Sequence, residues 1–147
     1  MEEEFFKKEC LECLGKSLNK SRVLLMDDDE AVRSMAGLML RNLGCEAILV
    51  RDGFEMMRMY RSSAQTGVYF DAVIMDLNIP CGMGGKDAVR ELLSFDPAAK
   101  AILSTASVDD PVVNEAGKYG FSAVLAKPYT VQELTRTLHR VISGHKR

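Results

Sequence analysis

Five short, mostly apolar runs punctuate this chain, and each one is followed within two residues by a polar or charged residue. They are Val23-Leu24-Leu25-Met26, Ala47-Ile48-Leu49-Val50, Phe70 to Met75, Ala101-Ile102-Leu103-Ser104 and Phe121 to Leu125. Runs of this length without alternation read as strands buried on both faces. Between them the spacing changes to that of helices. Val32, Met35, Ala36, Met39 and Leu43 make one apolar face, capped by Asp28 or Asp29 and stopped by Gly44. A helix from about Gly53 to Ser63 turns Phe54, Met57 and Tyr60 inward, and Ala88, Val89, Leu92 and Leu93 mark a third. Pro111, after Asp109-Asp110, suits the first turn of a short fourth helix. Thr130-Val131-Gln132-Glu133 is a capping box that opens the last helix, which continues through Leu134, Leu138 and Val141. Five buried strands alternating with five helices through short connections predict a parallel sheet covered on both faces. The expected fold class is a three-layer, doubly wound α/β domain.

A chain of 147 residues supports one such core. Residues 1–20 stand apart from it. Glu3 and Lys7, and Glu4 and Lys8, are helix-supporting pairs four apart, and Phe6, Cys10, Cys13 and Leu14 form a short stripe before Gly15, Ser17, Asn19 and Ser21 loosen the segment. This predicts a helical arm or linker over 1–20 ahead of a domain over 21–147. Only Ser143 to Arg147 follow the last helix, so no output domain is expected there. A net charge of −2 leaves no electrostatic footprint for nucleic acid. No apolar run approaches the ~18 residues that span a bilayer, and the acidic start Met1-Glu2-Glu3-Glu4 is the opposite of a secretory leader. The expectation is a soluble, cytoplasmic protein without membrane contact. Cys10 and Cys13 form a lone C-x-x-C with no second pair at metal spacing, so they read as reduced thiols rather than a zinc or redox centre.

In an open α/β sheet, ligands bind outside the carboxyl ends of the strands. The first strand delivers Asp27, Asp28 and Asp29 to that edge, the third Asp76 followed by Asn78, the fourth Ser104-Thr105-Ala106, and the fifth Lys127-Pro128. Clustered carboxylates repel one another, and a hard divalent cation such as Mg²⁺ relieves this through oxygen ligation. One carboxylate then remains free to attack a phosphoryl group, while Thr105 and Lys127 can contact the transferred oxygens. Each residue also has an ordinary reading: Asp28 and Asp29 as helix caps, Thr105 as a strand end, Lys127 as a solvated lysine. Asp76 is hardest to dismiss, because a buried strand end rarely carries a charge without a partner or metal.

The Asp27-Asp28 pair, Asp76 closing the third strand, Pro80 four residues on, Thr105-Ala106 and Lys127-Pro128 together resemble the receiver domain of two-component response regulators. The resemblance runs from Arg22 to about Ser143. It implies a flavodoxin-like (βα)5 fold with a five-stranded sheet in the order 2-1-3-4-5. It also implies Asp76 as phosphoacceptor, Mg²⁺ held by Asp27, Asp28, Asp76 and the backbone carbonyl of Asn78, Thr105 on a phosphoryl oxygen, and Lys127 paired with the phosphoryl group. The implied donor is a phosphohistidine on a sensor histidine kinase or a histidine phosphotransfer protein, the implied state a monomer, and the implied Lys127–Pro128 bond cis. Such a domain is a signalling module rather than a turnover enzyme.

Two departures qualify the match. Val124 stands where many receivers carry a switching Tyr or Phe, so output is expected to run through Thr105 and the Ala106–Asp110 loop. The loop Pro80-Cys81-Gly82-Met83-Gly84-Gly85 is one residue longer than the common form, and its glycines permit positive φ. It resembles receivers fused to hybrid histidine kinases, so the chain is either a single-domain regulator or the receiver part of such a kinase. An aspartyl-phosphate phosphohydrolase is the alternative, but Asn78 stands where such an enzyme wants a second acid, and a cap domain hardly fits. A flavin binder would need a Ser/Thr/Gly phosphate loop where Asp27-Asp28-Asp29 stands. Neutralising Asp27 or Asp28 is expected to relieve repulsion and stabilise the apo fold.

Overall fold

The computed structural model describes residues 18–144. The elements run β1 (Arg22–Met26), α1 (Glu30–Asn42), β2 (Glu46–Val50), α2 (Gly53–Gln65), β3 (Ala72–Asp76), α3 (Gly85–Phe95), β4 (Ala101–Thr105), α4 (Pro111–Asn114), α5 (Ala116–Tyr119), β5 (Ala123–Ala126) and α6 (Val131–Gly144). The five strands form one parallel sheet in the order β2-β1-β3-β4-β5, as the resemblance implied. β3 and β4 are buried at every residue, as central strands covered on both faces must be. Alternation along each strand sends side chains to two separate cores. Leu24, Met26, Val73, Met75 and Leu103 pack with Met56, Met57 and Tyr60 of α2, Val89 and Leu92 of α3, and Ala116 of α5. Val23, Leu25, Ile74, Ile102 and Leu125 pack on the other face with Ala36 and Leu40 of α1 and Leu134, Leu138 and Val141 of α6. Each such aliphatic side chain contributes roughly 1.5–3 kcal/mol by leaving water.

Local chemistry sets the element ends. Asp29 caps α1 by accepting from Val32 N at 3.1 Å, and Asp52 caps α2 by accepting from Glu55 N at 3.0 Å. The capping box forms in both directions: Thr130 N donates to Glu133 Oε1 at 3.2 Å, and Glu133 N donates to Thr130 Oγ1 at 3.1 Å. Gly120, at φ 105°, ends α5 in the left-handed region that favours glycine.

Three expectations need correcting. Met35 and Phe54 face solvent, 57% and 64% exposed, instead of the core. α1 buries the stripe Ala36, Gly37 and Leu40, with Gly37 lying under Leu49 where a Cβ would come within 2.8 Å of Cδ1. α2 buries Gly53, Met56, Met57 and Tyr60, one residue out of phase with Phe54. Apolar residues occur on more than one face of both helices, so helical spacing alone could not choose the buried one. The segment after Pro111 is two four-residue helices rather than one. The predicted arm lies outside the described residues up to residue 17. Leu18, at its end, is 2% exposed and packs with Val23, Leu25 and Cys45.

Candidate functional site

The register of the sheet builds the site. Met26 pairs with Met75, which brings the following residues Asp27 and Asp76 side by side at the carboxyl edge. Asp76 is level with Ser104 on β4, and Thr105 is level with Ala126 on β5, just before Lys127. Asp27, Asp76 and Thr105 are 3%, 6% and 0% exposed. Asp28, one residue further, lies in solvent. Carboxylate oxygens of Asp27, Asp28 and Asp76 all lie within 4.8 Å of one another.

Lys127 closes the floor of this cluster. Its Nζ donates to Asp27 Oδ2 at 2.6 Å and stands 3.3 Å from Asp76 Oδ1, on a peptide bond to Pro128 that is cis. Asp27 also accepts from Asp29 N at 3.0 Å through Oδ1, and its main-chain carbonyl accepts from Arg33 Nη1 at 2.9 Å. Asp76 Oδ1 accepts weakly from Asn78 N at 3.4 Å. Thr105 Oγ1 accepts from Ser107 N at 2.9 Å, and the Asn78 side chain donates to Ser107 Oγ at 3.4 Å. The two loops that rise from β3 and β4 are therefore joined across the mouth of the site.

The electrostatics follow from burial. Desolvation, helped by the Asp27 carboxylate, raises the Asp76 pKa above the usual carboxylate range, although Lys127 opposes it. Burial alone would depress the Lys127 ammonium, but the hydrogen bond to Asp27 and the charges of Asp76 and Asp27 outweigh it and raise its pKa. Burial, reinforced by Asp27 and Asp76, pushes the Tyr129 phenol up to about 12. Three carboxylates against one ammonium leave the cluster anionic. Its ligand set is all hard oxygen, which fits a Mg²⁺-type cation and not a soft metal.

Every residue singled out in the sequence reaches this edge, with different neighbours from those expected in two places. Lys127 holds Asp27 more closely than Asp76. The Asp29 side chain caps α1, and its backbone N donates to Asp27 Oδ1. The loop glycines serve close approach rather than positive φ: among the described glycines only Gly44, Gly67 and Gly120 have positive φ. A Cβ on Gly84 would come within 2.5 Å of Leu77 O, and one on Gly85 within 3.0 Å of Asp76 O. Arg33 escaped the sequence reading, and Ser107 entered it only as part of the Ala106–Asp110 loop expected to carry output. A basic residue one turn into the helix after Asp27-Asp28-Asp29 was the available signal for Arg33.

Comparison with known proteins agrees with this geometry. A profile of the response regulator receiver domain matches residues 23–139. The chain is 34% identical over 113 residues to a response regulator receiver protein of Anaeromyxobacter sp., covering 77% of this chain and 45% of that one, so it spans less than half of that relative. It is 31% identical over 121 residues to the chemotaxis protein CheY of Thermotoga maritima, covering 82% and 96%. Among solved structures, the receiver domain of a sensor histidine kinase from Pseudomonas aeruginosa, described with a magnesium ion coordinated in its active-site cleft, is 30% identical, with a TM-score of 0.71 over 84% of this chain and 98% of that one. No helix among the described residues is long and apolar enough to cross a membrane. The chain belongs to the response regulator receiver domain family, and it is a phosphoacceptor module of two-component signalling.

Proposed function

We propose that Asp76 is the residue that takes the phosphoryl group. The observation that carries this is its setting: a carboxylate 6% exposed at the end of a central strand, 3.3 Å from a lysine and flanked by two further carboxylates. A carboxylate oxygen of Asp76 attacks phosphorus of a phosphohistidine, the O–P bond forms, the N–P bond breaks, and the imidazole keeps the electron pair. Asp27, Asp28, Asp76 and the backbone carbonyl of Asn78 are the residues that would hold Mg²⁺, which supplies positive charge against the phosphoryl oxygens. Lys127 stays tied to Asp27 while its ammonium moves from Asp76 to a phosphoryl oxygen. Thr105 offers a hydroxyl to another, and its hydrogen bond from Ser107 N links that event to the loop. The module promotes only its own phosphorylation and dephosphorylation.

The donor is a sensor histidine kinase or a histidine phosphotransfer protein. A histidine must approach Asp76 on a helix or loop that packs beside the site. An apolar groove of about 500 Å³ opens there between Val32, Met35 and Met39 of α1 and the Lys127-Pro128-Tyr129 turn. The exposed side chains of Met35 and Leu38 continue it, 57% and 56% exposed. Residues 1–20 serve as arm or interdomain linker to a receiver domain over 21–147, in a monomeric regulator or the receiver part of a hybrid kinase, working in the cytoplasm. Intact mass after incubation with acetyl phosphate and Mg²⁺ tests the assignment. The protein should gain about 80 Da, the mass of a phosphoryl group, and Asp76→Asn should gain nothing. A gain of that mass by Asp76→Asn removes Asp76 from the role.

A further inference from the structure

A second, oppositely charged concavity lies away from the carboxylates. Between α3 and α5 a groove of about 410 Å³ is lined by Lys86, Arg90, Leu93, Ser94, Lys118 and Tyr119. Lys86, Arg90, Leu93 and Ser94 are spaced four, three and one residue apart and so share one face of α3. Placing Lys86 and Arg90 four apart sets like charges together on the helix surface. The third cation faces them from α5. Among the described residues, the one acid paired with a cation of this groove is Glu115, 3.8 Å from Lys118, in a pair that is 53% and 80% exposed. Neither Lys86 nor Arg90 has a carboxylate partner among the described residues. Lys86 leans instead over the Tyr119 ring, 5.6 Å from its centroid. Three cations thus stand around one small hollow, in a chain whose net charge is −2.

We infer that this groove binds the diphosphate group of a small phosphorylated ligand. Its volume falls in the range of small-molecule sites. Arg90 offers a planar fork for two phosphate oxygens, and Lys86 and Lys118 offer point charges on either side. Leu93 and Tyr119 give apolar surface to whatever carries the phosphates. A long polyanion fits poorly, because Asp87 and Glu91 follow Lys86 and Arg90 immediately and put carboxylates on the adjoining face of α3. α3 begins at Gly85, where an added Cβ would come within 3.0 Å of the Asp76 carbonyl, and α4 and α5 follow the loop after Thr105. The inference is independent of which aspartate accepts a phosphoryl group.

Amide chemical shifts of the full chain, followed by NMR in Mg²⁺-free buffer with EDTA, test it with inorganic pyrophosphate, ADP and sulfate at matched ionic strength. Pyrophosphate and ADP should each give saturable shifts at Lys86, Arg90, Ser94, Lys118 and Tyr119. Sulfate should not saturate. Tighter binding of ADP assigns the source of the diphosphate to a nucleotide, and equal binding assigns recognition to the diphosphate alone. Arg90→Gln should weaken binding about tenfold, equivalent to about 1.4 kcal/mol. Glu115→Gln should tighten it. Shifts that fail to saturate, that sulfate reproduces, or that survive Arg90→Gln unchanged overturn the proposal.

Discussion

On the floor of the site Asp27, Asp76 and Thr105 are buried, whereas on its rim Asp28, Asn78 and Ser107 lie in solvent. Asp27 and Asp28 are identical side chains one residue apart, yet they have little else in common. Asp27 holds Lys127 at 2.6 Å and accepts from the backbone of Asp29. Asp28 has no such partner among the described residues. The floor is fixed by strand register and the rim is carried on loops. A cation or phosphoryl group would therefore meet strand-positioned groups on the floor and loop-borne groups on the rim.

Substitutions on the floor should cost most. Asp27→Asn leaves Lys127 with a weakened buried partner, so the apo protein should lose roughly 3 kcal/mol in urea denaturation. This reverses the expectation from charge alone, in which neutralising either aspartate stabilised the fold. Repulsion is present, but for Asp27 the pairing with Lys127 outweighs it. A rise in stability for Asp27→Asn would show that floor and rim do not differ. Gly84→Ala, where floor meets rim, should cost about 2 kcal/mol because its Cβ would press on the Leu77 carbonyl, which cannot yield as a side chain could.

Asp76 sharpens the comparison through pH. Its pKa is raised in the folded state, so the folded protein binds its proton more readily than the unfolded chain does. Stability from this group is thus fully present below the ordinary carboxylate pKa of the unfolded chain and is lost as pH rises from there through the raised folded pKa. Asp76→Asn should melt higher than the parent at neutral pH, with the gap closing on acidification toward the ordinary carboxylate range. A gap that is constant with pH would mean that burial does not disfavour the Asp76 charge. On the rim the effects should be smallest. Asp28→Asn should slightly raise the apo melting temperature while weakening Mg²⁺ binding several-fold by calorimetry. Val108→Ala, in the exposed Ala106–Asp110 loop, should change stability by no more than about 0.5 kcal/mol.

Much of this arrangement was legible in the sequence, because four of the five strands run out at or next to a polar residue of the site. Buried runs leading to Asp27, Asp76, Thr105 and Lys127 place those four at one edge of a parallel sheet. What stayed hidden depends on facing. Strand alternation, not composition, decides that Asp27 points down to Lys127 and Asp28 outward. Met35 and Phe54 read as core because α1 and α2 carry apolar residues on more than one face. Gly84 and Gly85 read as turn formers, since close approach to the Leu77 and Asp76 carbonyls is a tertiary contact that leaves no local mark. Val124, half-buried with no ring, was legible as a departure from the family pattern. The expectation drawn from it, output through Thr105 and the Ala106–Asp110 loop, is a proposal, and the bond of Ser107 N to Thr105 Oγ1 is the physical link it would use.

The most direct test of the central claim locates the phosphoryl group chemically. After phosphorylation with acetyl phosphate and Mg²⁺, borohydride reduces an aspartyl phosphate to homoserine, and tandem mass spectrometry of the digested protein reads the position. Homoserine at position 76, with Asp27 and Asp28 intact, is the result this account predicts. Homoserine at position 27 or 28, with Asp76 unchanged, would contradict it.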